Sequence, residues 1–507
     1  MLDHDICYRA VQSRDARFDG MFFTAVRTTG IYCRPSCGAR TPLRDHVHFY
    51  PTAAAAQQAG YRACKRCRPD ATPNSPEWNS RSDVVGRAMR LIADGVVDRE
   101  GVAGLAKRLS YSPRQVNRQL LAELGAGPQA LARAQRSRTA RILLETTARP
   151  MTDVAFAAGF RSVRQFNETI RAVYALTPSA VRSRVHPRTA APQGPSADVI
   201  RLRLPYRPPL DFRGLLEFLA ARAIPGVEEC TSDTYRRVLA LPHQLAVVSL
   251  QAPQRSLQTT PSVRSPYIDC AIRLQDLRDL TAAVQRCRRL LDLDSDPQAV
   301  AAVLMGDARL APLVAANPGR RVVGHVDEHE LAVRAVLGQQ VSIAAARSLA
   351  GKLSVRYGEA LPAADGTLTH AFPTAAALAA AAPLDLPMPN ARRQALGALI
   401  AALAEGRIRL DAGADRDAVS AQLEELPGIG PWTVAYIRMR SLSDPDAFLA
   451  TDLGLRQAMA KLGLPTGRKE VLALADKWRP WRAYAQQYLW AVTGTRLAPQ
   501  SSDGVRA

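Results

Sequence analysis

Apolar positions recur at helical spacing over most of the chain and alternate in strand-like runs only within one stretch. From Arg81 to about Arg184 the pattern is helical with short breaks, and it holds two similar units. From Val199 to Asp292 strand-like pieces ("DVIRLRLPY", "HQLAVVSLQ", "YIDCAIRL") mix with a helical one ("RGLLEFLAARA"), which predicts an α+β unit. Beyond it the chain reads as almost wholly helical, rich in Ala and Leu, to Arg496. Turn-rich "ATPNSPEWNS" and the Pro/Ala/Ser-rich "HPRTAAPQGPSAD" separate these stretches as linkers. The predicted layout is a cysteine-rich domain over 1–78, a helical domain over 79–185, a linker over 186–198, an α+β domain over 199–292, an all-α domain over 293–496, and a flexible tail over 497–507. The fold class is multidomain, mainly α with α+β parts.

Composition narrows the class. A chain of 507 residues is too long for one core, and 47% hydrophobic residues allow several. No run of about 18 apolar residues occurs, so no membrane span is expected. The start, "MLDHDICYRAVQSRDARFDG", lacks the apolar core of a secretory signal, and eight cysteines are too few for a disulfide scaffold. A cytoplasmic protein is therefore expected. The net charge of +21 is uneven: residues 1–190 hold 30 Lys and Arg against 15 Asp and Glu. A polyanion, most commonly nucleic acid, is the partner such a balance fits.

Cys33-x3-Cys37 and Cys64-x2-Cys67 give four thiolates in two close pairs, the format of a tetrahedral zinc site. Such a site can be a closed staple or can expose a nucleophilic thiolate, because zinc-bound sulfur stays ionised at neutral pH. The flanks, "FFTAVRTTGIYCRPSCGARTPLRDHVHFY" and "AGYRACKRCRPD", resemble the N-terminal domain of the Ada adaptive-response methyltransferases over roughly residues 7–72. The resemblance implies that Cys33, while zinc-bound, accepts a methyl group from a DNA phosphotriester. Transfer makes a neutral thioether, takes the site from −2 to −1, and lowers repulsion from DNA phosphates. Arg40, Arg62 and Lys65 are candidate backbone contacts.

In "VAGLAKRLSYSPRQVNRQLLAELGAGP" a turn at Ser110–Ser112 leads to a helix with Arg114, Asn117 and Arg118 exposed. "MTDVAFAAGFRSVRQFNETIRAVYALTP" repeats the plan, with a turn at Gly159 and with Arg161, Arg164 and Gln165 leading the second helix. Such residues can reach base edges. The tandem pair resembles the AraC-type DNA-binding domain, which also occurs at this place in Ada proteins.

"LEELPGIGPWTVAYIRMR" predicts a helical hairpin in which Gly428 and Gly430 allow a sharp turn and bring backbone N–H groups near a phosphate. Asp452 follows in "AFLATDLGLRQAM"; alone it would be read as a helix cap. With the hairpin it resembles the HhH-GPD DNA glycosylases. The longer match, through "LPYRPPLDFRGLLEFLAARAIPGVE", "AVRAVLGQQVSIAAARSLAGKL" and "DKWRPWRAYAQQYLW", is similar to the AlkA 3-methyladenine glycosylases over roughly 199–495. It implies a flipped alkylated base in an aromatic cleft of Trp432, Tyr436 and Trp490, with Asp452 stabilising an oxocarbenium-like sugar. Electron-rich rings suit a base that alkylation has made cationic. Gln340, in "LGQQV", stands where these enzymes commonly place an apolar wedge. Trp432 stands where lyase relatives carry a Schiff-base lysine, so a monofunctional glycosylase is expected. No Pro-Cys-His-Arg motif occurs, so no O6-methylguanine acceptor is expected.

The expected function is DNA alkylation repair joined to transcription regulation. One zinc ion, double-stranded DNA and RNA polymerase are the expected ligand and partners, in a monomer associated with the nucleoid. The competing reading is a DNA-binding regulator without glycosylase activity.

Overall fold

The computed structural model describes residues 3–69, 75–76, 83–184, 199–252, 266–381 and 386–493. The expected linker at 186–198 and tail at 497–507 lie outside the described residues.

Strands β1 (Phe23–Val26), β2 (Ile31–Cys33), β3 (Val47–Tyr50) and β4 (Arg62–Ala63) make a sheet in the order β3-β1-β2-β4. β1 and β2 are antiparallel across a turn at Gly30, whose φ of 63° favours glycine. β2 and β4 are parallel, pairing Ile31 with Arg62 and Tyr32 with Ala63. Cys33 therefore ends one strand and Cys64 follows its parallel neighbour, at the same end of the sheet.

The next segment is helical, and its two turns are written in local chemistry. The Val96–Leu109 helix ends at Ser110 with φ 63°, and Ser112 caps the Pro113–Leu124 helix in a capping box with Gln115. In the second unit, Met151–Ala157 is followed by Gly159 at φ 86°, and Ser162 caps Val163–Tyr174. The long Pro128–Thr146 helix joins the units.

An antiparallel sheet follows, of β5 (Val199–Pro205), β6 (Glu228–Cys230), β7 (Thr234–Ala240), β8 (Leu245–Gln251) and β9 (Tyr267–Arg273) in the order β5-β9-β8-β7-β6. The three strand-like sequence pieces form β5, β8 and β9. The carboxyl-terminal part is helical as expected, with one departure: β10 (Ala360–Asp365) and β11 (Leu368–His370) form a hairpin. Gly366 at φ 66° makes its turn after an aspartate, and Leu368 packs with Val238 and Val247 of the five-stranded sheet. The neighbouring sheet buries Leu368 and partly covers Leu361, while the rest of β10 stays largely exposed.

The cores do not stop at the linkers. One apolar cluster runs from Phe23 and Tyr32 of the first sheet, through Leu143, Phe166 and Ile170 of the helical segment, to Ile200, Leu202 and Val248 of the second sheet. A second link joins the first helical unit to the loop at 411–415. Arg87 and Arg90 donate to the carbonyls of Gly413 and Ala412, each at 2.6 Å, and Arg108 pairs with Asp411 at 3.2 Å. A Cβ at Gly413 would lie 2.3 Å from the Leu91 side chain, so only glycine fits.

Candidate metal centre and aromatic cleft

The four sulfurs of Cys33, Cys37, Cys64 and Cys67 lie within 4.8 Å of one another. Two short devices bring them together. The parallel β2–β4 pairing sets Cys33 and Cys64 side by side, with the Cys64 N–H donating to Tyr32 O. Tight turns then return Cys37 and Cys67: Cys37 N–H donates to Arg34 O, and Arg68 N–H to Cys64 O. Asp19 braces the first turn by accepting from Ser36 N (3.0 Å) and Ser36 Oγ (2.6 Å) and pairing with buried Arg34 at 3.3 Å. Four thiolates this close are stable together only around a cation. The all-sulfur donor set and its closeness fit one Zn2+.

Cys33 and Cys37 are half-buried, and Cys64 and Cys67 are buried. Arg40 and Lys65 are exposed near the cluster in sequence, and Arg62 is half-buried in β4. Arg114, Asn117 and Arg118 are exposed on the Pro113–Leu124 helix, and a Cβ at Gly127 would meet Asn117 Oδ1 at 2.4 Å. Asn117 thus also packs the turn that ends its own unit. In the second unit Arg161 and Arg164 are exposed; Arg164 pairs with Glu168 at 2.9 Å, and Gln165 Oε1 accepts from Arg161 N at 3.3 Å.

The residues expected to line a cleft lie at the seam of two helical cores, with Tyr436 packed against both. Asp452 caps the Leu453–Lys461 helix, as its local sequence alone suggests, with Oδ1 accepting from Leu455 N at 2.8 Å. It does more than cap. Oδ1 also accepts from Trp490 Nε1 at 2.8 Å, and Oδ2 accepts from Trp432 Nε1 at 3.0 Å. The carboxylate is thereby oriented by donors from three separate segments. Trp432 stacks on Tyr436 with ring centroids 5.2 Å apart, and Trp490 stacks on Phe218 at 6.2 Å. The structure thus gathers Trp432, Tyr436, Asp452 and Trp490.

Three residues join them that sequence reasoning missed. Phe218 comes from the Phe212–Arg222 helix of the α+β segment. The Arg222 guanidinium sits 3.7 Å from its ring centroid and that of Arg440 4.9 Å away. Arg440 also donates to the Tyr436 hydroxyl at 2.6 Å and to Val323 O and Gly324 O. Burial alone would raise the Tyr436 hydroxyl, but Arg440 and Arg222 outweigh it and bring its pKa below the ordinary tyrosine value. An aromatic with Arg four residues later, as in "FLAAR", was the available signal.

The hairpin turn lies between the Arg416–Glu424 and Pro431–Arg440 helices. Gly428 has φ 75°, and a Cβ there would approach the Ala395 Cβ to 2.8 Å. Gly430 is different: its φ is −94°, it caps the second helix, and a Cβ would meet nothing within 4 Å. The turn requires glycine only at Gly428; at Gly430 the missing side chain leaves the helix start open. Gln340 is exposed at φ 54°.

Family models match three stretches: the metal binding domain of Ada over residues 6–70, a helix-turn-helix domain over 105–184, and the AlkA N-terminal domain over 201–327. The probable bifunctional transcriptional activator/DNA repair enzyme AlkA of Mycobacterium tuberculosis is 54% identical over 488 residues, which cover 96% of this chain and 96% of that protein. The chain belongs to that family. DNA-3-methyladenine glycosylase 2 of Escherichia coli is 34% identical and covers 57% of this chain and 97% of its own length. The bifunctional transcriptional activator/DNA repair enzyme Ada of Escherichia coli is 36% identical over 33% of this chain and 47% of its own. The two partial relatives divide the AlkA-family chain between them. No helix among the described residues is long and apolar enough to cross a membrane.

Proposed function

We propose that this chain carries two reaction centres for alkylated DNA and a methylation-responsive DNA-binding unit between them. At the first, a Cys33 thiolate attacks the methyl carbon of a phosphotriester. The S–C bond forms, the C–O bond breaks, and its electron pair leaves on the phosphate oxygen, restoring the diester. Zinc, when bound, keeps the four thiolates ionised. Loss of one thiolate charge favours DNA binding, which switches the double helix-turn-helix unit toward activation with RNA polymerase. Arg40, Arg62 and Lys65 contact the backbone, and Arg114, Asn117, Arg118, Arg161, Arg164 and Gln165 contact the recognised duplex.

At the second centre an alkylated base of the 3-methyladenine type enters the cleft of Trp432, Tyr436 and Trp490, while the Gly428–Gly430 hairpin holds a phosphate and Gln340 fills the vacated stack. The N-glycosidic bond breaks with its electrons going to the base, whose positive charge is neutralised as it leaves. Asp452 stabilises the cationic sugar until water adds at its anomeric carbon and releases its proton to solvent. Trp432 offers no amine, so the enzyme is monofunctional. In this reading the chain divides into domains over 1–78, 79–185, 199–292 and 293–496, and the protein acts as a monomer at the nucleoid.

The observation that carries this reading over a pure regulator is the Asp452 carboxylate, held by two indole N–H groups of an aromatic cluster next to the hairpin. Incubation of the full chain with methylated duplex, with and without borohydride, tests it. Free alkylated base, uncut strands and no trapped adduct are expected. A covalent protein–DNA adduct would overturn the monofunctional assignment, and no released base would overturn excision.

A further inference from the structure

The five-residue turn Gly338–Ser342 joins the Glu328–Leu337 and Ile343–Tyr357 helices and carries two adjacent glutamines facing different surroundings. Gln340 is exposed and left-handed, at φ 54°, a conformation a non-glycine residue holds only against strain. The ends of the turn are tied to its own helices: Gly338 N–H donates to Arg334 O, Gln339 N–H to Val336 O, and Ser342 Oγ accepts from Ala345 N. Gln339 ties it elsewhere. Its side-chain Nε2 donates to Gly428 O at 3.0 Å and to Thr433 Oγ1 at 2.9 Å. Gly428 is the left-handed residue of the hairpin turn, and Thr433 is buried in the helix that follows. One amide thus clamps the turn bearing the exposed glutamine to the hairpin.

We propose that Gln339 is a positioning residue that fixes the base-displacing tip, Gln340, relative to the phosphate-holding hairpin. The inference rests on the excision reading above. A flipped nucleotide is held at two points: its phosphate on the hairpin, and the gap it leaves filled by the tip. Flipping is efficient only if those points keep a fixed separation, and a misplacement of about 1 Å can cost on the order of 100-fold in rate. Gln339 suits this task because the Gly428 carbonyl can only accept, and one amide NH2 reaches both it and the Thr433 hydroxyl. A glutamate there would set carboxylate oxygen against the Gly428 carbonyl, and a methionine would keep the volume while removing both donors.

The test separates flipping from chemistry. Gln339→Met and Gln339→Glu are compared with the unaltered chain on one alkylated base, placed in a duplex and in single-stranded DNA, under single-turnover conditions with protein in excess. The expected result is a loss of at least tenfold on the duplex, with single-strand excision unchanged, because an unpaired base needs no tip. Gln340→Ala, which removes the tip itself, should lose duplex excision to a similar extent. The Gln339→Met/Gln340→Ala double variant should be little worse than either alone, since a displaced tip and a missing tip fail at the same step. Equal losses on both substrates would overturn the proposal by making Gln339 a support of the cleft, and undiminished duplex excision by both variants would overturn it outright. Should the unaltered chain release no base from either substrate, the excision reading itself fails and this inference with it.

Discussion

The four-cysteine knot takes its ligands from Cys33 to Cys67, at the ends of two adjoining strands, whereas the cleft draws on Phe218, Trp432, Tyr436, Asp452 and Trp490 across distant segments. Each site gathers anionic groups, four sulfurs in one and a carboxylate in the other. In the knot a cation offsets the repulsion, so its geometry depends on metal. In the cleft, indole N–H groups and packed cores hold a single carboxylate, so its geometry depends on tertiary structure. A local site of the first kind fails by losing its ion, and a distributed one by losing a support far away in sequence.

The largest separation should come from the ligands. Structural zinc in small domains contributes about 10–16 kcal/mol of apparent binding energy. Cys64→Ala should lose the zinc equivalent and methyl acceptance together while base excision persists, as read by metal content and by both assays. Loss of excision with the zinc would show that the shared apolar cluster makes the centres one unit.

Next in size, Asp452→Asn should cut excision by about 100- to 1,000-fold, or about 3–4 kcal/mol, by analogy with lost electrostatic stabilisers, and leave methyl acceptance untouched. Three donors converge on the carboxylate, so an amide turned either way sets its NH2 against an indole N–H. Single-turnover base release measures the effect.

Acidity should act on the two regions with opposite sign. Thiolate ligands are lost as pH falls, so zinc retention weakens in acid. Beside the cleft core, burial pushes Asp292 up from 3.8 to about 6 despite its bond from the Tyr484 hydroxyl at 2.7 Å. Its folded value lies above its unfolded one, so its contribution is full below about pH 4 and is lost as the pH rises through about 6. Relative to Asp292→Asn, the unaltered chain should therefore lose about 2–3 kcal/mol across that window and stay level on either side. Thermal midpoints followed by tryptophan fluorescence at a series of pH values check the sign.

The smallest expected effect concerns the link between the halves. Gly413→Ala puts a methyl group against Leu91 and should loosen the docked 411–415 loop by about 1–2 kcal/mol, seen as faster amide exchange there with zinc content unchanged.

What could be read in advance follows the same division. The zinc ligands were legible because each pair is local and its residue type admits few other uses. Asp452 was legible only together with the hairpin, since its own surroundings spell a helix cap. Phe218, Arg222 and Arg440 were not singled out, because their neighbours across the cleft lie on other segments. Gln340 was singled out by its place in "LGQQV", but nothing in the sequence marked Gln339, whose role shows only in its bonds to the hairpin. The linkers mark where the chain is polar, yet the apolar residues on either side meet in one core, which no local pattern reveals.

The most direct test of the account treats the zinc-loaded full chain with one preparation of methylated duplex DNA and follows both products from the same tube. Peptide mapping should find S-methylcysteine at Cys33, and chromatography should find free alkylated base; Cys33→Ser should abolish only the first and Asp452→Asn should reduce only the second by orders of magnitude. Methyl on Cys64 in place of Cys33, or a single substitution that removes both products, would contradict the claim that this chain holds two separate centres.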